Sequence, residues 1–213
     1  MEIPSNWTFK DRSVATGFEA HVREQLPWYE LMSGAVAHIA RHYIPEHGTM
    51  YDLGCSTGNI GRLLEDTIAT RDVDFIPVDN SEEMAALYVG PGSPLVHDFS
   101  VIEIQPFDVA VLFLSLMFVP VPRREPLLQR LRNQLRPGGA IIIVDKSEAI
   151  GGYLGTILAR LTLAGKMSEG APAEEIIAKE LSLMGVQRPV NVRQISGVEV
   201  FRFGEFAGWV IEG

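Results

Sequence analysis

Short apolar runs alternate with helical patterns through the middle of the chain, and this alternation limits the fold more than any other feature of the sequence. Strands are expected at 49–53, 73–78, 95–97, 107–114 and 140–144. Several are nearly continuous in Val, Ile, Leu and Phe, as suits parallel strands covered on both faces. Helices are expected between them at 59–69, 81–88 and 124–136, the last stopped by Pro137-Gly138-Gly139. A helical stretch at 19–43 precedes the strands, two helices at 153–166 and 173–184 follow, and 197–211 reads as a hairpin turning near Gly204. The implied class is α/β: one doubly wound, mostly parallel sheet with an N-terminal helical segment and a C-terminal antiparallel hairpin. No linker or repeat divides the chain, so residues 1–213 are taken as a single domain.

The segment Met50-Tyr51-Asp52-Leu53-Gly54-Cys55-Ser56-Thr57-Gly58-Asn59-Ile60-Gly61 runs from a strand through a glycine loop into a helix. Glycines let backbone approach a ligand closely, and the helix start offers unpaired N–H groups. The spacing fits neither the dinucleotide pattern G-x-G-x-x-G nor the phosphate loop G-x-x-x-x-G-K-[ST]. Three acids stand at strand ends. Asp52 precedes the turn and can hold loop N–H groups or a ligand ammonium; Asp79 can accept from both hydroxyls of a ribose; Asp98 lies where an adenine amino group is read. Such a set suits a cationic nucleoside without phosphate, which describes S-adenosylmethionine.

Composition agrees with that reading. The chain has 18 basic and 27 acidic residues, a net charge of −9, which disfavours general electrostatic grip on nucleic acid. The acidity is concentrated in the first 120 residues, so a polyanion is expected to approach the second half. A lone cysteine, Cys55, excludes an intrachain disulfide framework and points to a reducing cytoplasm. No run is long enough for a membrane helix. Metal binding is not expected: His38 and His42 have helical spacing but no further ligand context. The arginines at 123, 124, 130, 132 and 136 are expected on the solvated face of a helix striped by Leu127, Leu128, Leu131 and Leu135.

YDLGCSTG at 51–58, PVDNSEEM at 77–84, LVHDFS at 95–100 and RPGGAIIIVDK at 136–146 resemble, in order and spacing, the motifs of class I S-adenosylmethionine-dependent methyltransferases. With Trp7-Thr8-Phe9, Pro27-Trp28-Tyr29 and Phe203-Gly204, the chain is similar to the carboxy-S-adenosylmethionine synthase branch, which serves tRNA wobble uridine modification. The resemblance implies a Rossmann-like methyltransferase fold and a cofactor site of Tyr29, Asp52, Gly54, Cys55, Ser56, Gly58, Asp79, Asn80, Asp98 and Phe99. The cofactor is S-adenosylmethionine or its carboxylated derivative.

Two departures bear on the chemistry. Phe113 replaces that branch's asparagine late in the fourth strand, and Glu180 falls where it has an arginine holding the extra carboxylate. A carboxylate there would repel a carboxylated cofactor and suits plain S-adenosylmethionine. Arg188 or Arg193 stays open as a source of the missing charge, from this chain or another subunit. Phe113, Lys146, Glu180 and Arg188 are therefore the substrate-side candidates, and His97 and Asp145 the candidate bases, His97 being expected inside a strand in a structural role. The expected function is methyl transfer to an unknown acceptor, a small molecule or tRNA. The alternatives are a synthase acting on the cofactor itself and a catalytically silent binding or interaction protein. Whether the chain pairs as a homodimer stays open.

Overall fold

A computed structural model describes residues 3–4 and 7–213. The strands are β1 (Thr49–Leu53), β2 (Asp74–Asp79), β3 (Leu95–Val96), β4 (Phe107–Phe113), β5 (Leu135–Lys146), β6 (Val198–Phe203) and β7 (Phe206–Glu212). They form one sheet in the order β3-β2-β1-β4-β5-β7-β6. The first five are parallel, and β7 runs antiparallel to both β5 and β6. The doubly wound sheet with a terminal antiparallel hairpin is thus present as the sequence implies.

Side-chain alternation explains why the central strands look uniformly apolar. Along β4, Val109, Val111 and Phe113 enter the core beneath the N-terminal helices, while Ala110 and Leu112 enter the core on the opposite face. The first face is covered by α1 (Arg12–Gln25), α2 (Tyr29–Tyr43) and α3 (Asn59–Thr70), through Met32, Val36, Ala40 and Leu64. The second is covered by α5 (Val121–Gln134) through Leu127, Leu128 and Leu131, each buried leucine contributing roughly 1.5–3 kcal/mol. A short α4 (Glu82–Ala86) follows β2, its Ser81 cap accepting from Met84 N at 3.1 Å. After β5 come α6 (Tyr153–Ser168), α7 (Ala173–Ser182) and the four-residue α8 (Val192–Ile195).

Several local expectations need correction. The stretch 19–43 is two helices, because Pro27 supplies no N–H and forces Leu26 out of the helical region (φ −132°, ψ 88°). The edge strand β3 has only two residues, and His97 lies exposed in the bend after it, so neither a strand interior nor a structural role is its place. Helix α5 starts at Val121 and ends at Gln134, before the Pro-Gly-Gly run. That run is absorbed into β5 as a bulge, with the register to β4 slipping between Phe107 and Val109.

The arginines are a solvated face only in part: Arg123 and Arg136 are exposed, whereas Arg124 is buried and Arg130 and Arg132 are half-buried. Arg124 is 2% exposed and donates to the carbonyls of Val119, Met117, Arg188 and Pro189. Arg130 donates to Ser100 O at 2.7 Å and Arg132 to Ile195 O at 2.6 Å. Arg123 and Arg136 pair with Asp98 and Asp108. A guanidinium offers five N–H donors in a fixed fork, which suits tying several loop carbonyls together. Arg124→Ala is expected to destabilise the fold by about 3 kcal/mol or more in urea unfolding, since four carbonyls lose a charged partner. Arg124→Lys should recover little of this; near-wild-type stability for either variant would contradict the role.

Candidate functional site

The order of the strands makes the site. From β1 the chain winds outward to β2 and β3, whereas β4 and β5 lie on the other side of β1. Connections leaving β1 and β4 diverge, and a crevice opens at their carboxyl ends. A cavity of about 130 Å³, open to solvent on one side, occupies that crevice.

Its floor is the glycine loop. Gly54 N and Cys55 N both donate to Val78 O, at 2.8 and 3.0 Å, locking the loop to the end of β2. Gly54 has φ +89°, and a Cβ there would lie 2.5 Å from that of Ser115. Gly58 has φ +96° and starts α3, where a Cβ would lie 2.3 Å from Val89 O. Both positions therefore demand glycine. Gly58 shapes the turn from behind and does not line the cavity. Ser56 and Leu114 also take positive φ, 52° and 56°. For a side chain as bulky as leucine this is a strained conformation, worth of order 1–3 kcal/mol, and it sits at the cavity wall.

Asp52, Asp79 and Asp98 all line this cavity. Asp79 accepts from Ser56 N at 2.9 Å and Ser81 N at 3.0 Å, so one carboxylate ties the glycine loop to the start of α4. Burial raises its pKa, and these N–H groups pull it back. Asp52 is 1% exposed, its Oδ2 has no hydrogen-bond partner, and burial, with neighbouring Asp79, raises its pKa to about 7. A buried carboxylate oxygen left unpaired at a cavity wall is suited to a cation. Asp98 lines the same cavity, accepting from Ser100 N at 2.9 Å and pairing with Arg123 at 3.0 Å. Cys55 is buried and, through burial and the two nearby acids, its thiol is pushed far up. It is a wall residue with no nucleophilic character.

Tyr29, Gly54, Ser56, Asn80 and Phe99 complete the cofactor-side residues named above, and all line the cavity, as does the substrate-side candidate Phe113. Tyr29 and Phe113 meet edge to face at 5.4 Å. Sequence reasoning missed Phe9, Phe18, Asn59, Ser115 and Phe118, which also line it. The signal for Phe9 was the Trp7-Thr8-Phe9 motif, since Ser81 Oγ donates to Phe9 O at 2.6 Å and draws the N-terminal segment over the crevice.

The substrate-side residues separate. Phe113 belongs to the crevice, whereas Lys146 and Glu180 line a second, adjoining cavity that shares Phe9, Phe18, Leu114 and Phe118 with the first. Glu180 is bonded by Lys146 at 3.4 Å and Lys166 at 3.0 Å, and although burial opposes it, these lysines hold its pKa low. Its charge is matched, so the repulsion expected of it is not the deciding effect. Arg188 and Arg193 are exposed and line neither cavity. Asp145 is fully buried and accepts from Leu116 N at 2.9 Å and Met117 N at 3.3 Å, a structural anchor for the turn at Leu116–Phe118 and not a base facing either cavity. Among the described residues no helix is long and apolar enough to cross a membrane.

The sequence matches the Methyltransf_11 family, a methyltransferase domain, over residues 51–143. A carboxy-S-adenosyl-L-methionine synthase from Staphylococcus epidermidis is 27% identical, the match covering 90% of this chain and 86% of the relative. One from Shewanella pealeana is 28% identical over 98% and 89%. A solved DhpI–SAH complex superposes with TM-score 0.52 at 22% identity, over 64% of this chain and 66% of that one. The cyclopropane synthase MmaA2 from Mycobacterium tuberculosis gives 0.51 at 16% identity, over 78% and 61%. The chain thus matches a methyltransferase domain over residues 51–143, shares the fold of these solved structures, and is similar over most of its length to carboxy-S-adenosyl-L-methionine synthases.

Proposed function

We propose that this chain is an S-adenosylmethionine-dependent methyltransferase whose cofactor lies in the crevice between β1 and β4. The observation that carries the reading is the buried Asp52 carboxylate with an unpartnered oxygen, beside a glycine loop and Asp79. Asp52 fits the cationic end of such a cofactor, Asp79 and Asn80 its ribose, and Asp98 and Phe99 its base. S-adenosylmethionine supplies, when bound, a methyl group activated by a sulfonium. The chain's own contribution is positioning and exclusion of water: the apolar walls given by Tyr29, Phe113 and Phe118 dry the crevice, and the strained Leu114 stands where the two cavities meet. The acceptor side is the adjoining cavity. A reducing cytoplasm suits the buried, unpaired Cys55.

A second reading, synthesis of the carboxylated cofactor for tRNA modification, is favoured by the names of the relatives and by Lys146 and Lys166 beside Glu180. Mass spectrometry of ligand retained through native purification separates the two. S-adenosylmethionine or its demethylated product supports methyl transfer; the carboxylated sulfonium selects the second reading. Neither species, with no binding on titration, overturns both.

The raised pKa of Asp52 has a signed consequence for binding. A cation prefers the ionised carboxylate, so affinity should increase as pH rises towards about 7 and level off above it. Between pH 6 and 8 the dissociation constant for S-adenosylmethionine is expected to fall about tenfold. Asp52→Asn should bind more weakly, with that increase removed. A flat profile in the wild type, measured by calorimetry, would reject Asp52 as the cation's partner.

A further inference from the structure

Away from the crevice, α1 and α7 bring three metal-ligating side chains together. His21 and Glu24 stand three residues apart on α1 and so share one face of that helix, while Glu175 meets them from the first turn of α7. One ligand atom from each lies within 4.8 Å of the others. His21 Nδ1 and Glu175 Oε1 are 3.7 Å apart. That is too long for a hydrogen bond, yet near the edge of about 3.4 Å of a tetrahedron whose centre makes bonds of about 2.1 Å. Glu24 is the exposed member, and rotation of its side chain closes the third corner.

No hydrogen bond among the described residues satisfies this pair. His21 is 3% exposed, and neither of its ring nitrogens has a partner. Glu175 Oε1 is buried without a partner as well. An imidazole N–H and a carboxylate oxygen could have closed on each other, and leaving both apart and out of water is costly. Lys179 sharpens the point. It follows Glu175 by one turn of α7, the spacing at which an ammonium and a carboxylate pair, but its ammonium rests on the face of Trp7 instead. Trp7 in turn stacks on His21, with ring centroids 5.5 Å apart and 29° between the planes, and so fixes the imidazole. Lys166 and Lys179, both facing the second cavity, are the charges that oppose a cation here. Lys166 is paired with Glu180, which leaves the two carboxylates at His21 to outweigh the rest.

We propose that His21, Glu24 and Glu175 form a binding site for a divalent transition-metal ion of the zinc type, which clasps α1 to α7. One imidazole nitrogen and two carboxylate oxygens supply three corners of a tetrahedron and leave the fourth to water. The imidazole selects against magnesium and calcium, which take shells of oxygen. The site is separate from the His38–His42 pair on α2 and from the crevice chemistry. Its effect on the crevice is mechanical: Phe18 of α1 lines the crevice, and Glu19 of α1 accepts from Thr57 Oγ1 at 2.6 Å and from Arg62 at 2.7 Å beside the glycine loop. Fixing α1 on α7 therefore fixes that wall.

Zinc titrated calorimetrically into metal-stripped protein tests this. His42→Ala serves as the starting protein, because the exposed His38 and His42 rings, 5.0 Å apart, could otherwise supply a second site. One zinc per chain is expected, bound about a hundredfold or more tighter than magnesium. Glu24→Gln and Glu175→Gln keep size and shape and should each weaken zinc by about tenfold or more. His21→Phe keeps the stacking on Trp7 and should abolish binding. Should that buried substitution unfold the chain, the exposed Glu24→Gln still decides the matter. Zinc should also slow amide hydrogen exchange in α1 and α7 together. No bound zinc, equal affinity for magnesium, or zinc affinity unchanged in Glu24→Gln and Glu175→Gln would each overturn the site. Zinc binding that leaves exchange in either helix unaltered would overturn the clasp.

Discussion

Everything functional in this molecule follows from the reversal of strand order at β1. A parallel sheet that winds to β2 and β3 on one side and to β4 and β5 on the other must part its connections between β1 and β4. The parting brings the buried ends of β1 and β2 to a cavity. Asp52 and Asp79 occupy those ends; burial makes both harder to ionise, and at Asp52 the nearby Asp79 charge adds to it. Asp79 relieves its own burial by accepting two loop N–H groups, and in doing so fixes the glycine loop. Asp52 keeps an unsatisfied oxygen. The same geometry that shapes the crevice therefore leaves a carboxylate in need of a cation.

Across the shared wall of Phe9, Phe18, Leu114 and Phe118 the electrostatics invert. Acids line one cavity, and lysines dominate the other.

The walls of the crevice were legible because their residues are local: a strand, a glycine loop and a helix start follow one another in a single stretch, and Asp79 and Asp98 repeat the strand-end pattern. The sheet was legible for the same reason, through nearly continuous apolar runs. Helix ends were less so. Pro27 should have divided the N-terminal helix on backbone grounds alone, whereas the bulge that takes Pro137-Gly138-Gly139 into β5 depends on pairing with β4 and has no local signal. The arginines misled because a leucine stripe predicts only which face is inward. It says nothing of loop carbonyls that a long guanidinium can reach around the helix end, as Arg124 does. The lysine cavity was hidden for a similar reason. Lys166 and Lys179 sit on separate helices that look amphipathic or apolar in isolation, and only packing turns them inward.

The central claim is that the crevice holds the cofactor with its cation at Asp52 and its ribose at Asp79. A crystal structure of the chain grown with S-adenosylmethionine tests it most directly. The account predicts ribose hydroxyls within hydrogen-bond distance of Asp79, the base beside Asp98 and Phe99, and the ligand's cationic end at Asp52 Oδ2. Ligand density outside the β1–β4 crevice, or an orientation that leaves Asp52 Oδ2 facing no cationic group, would contradict it.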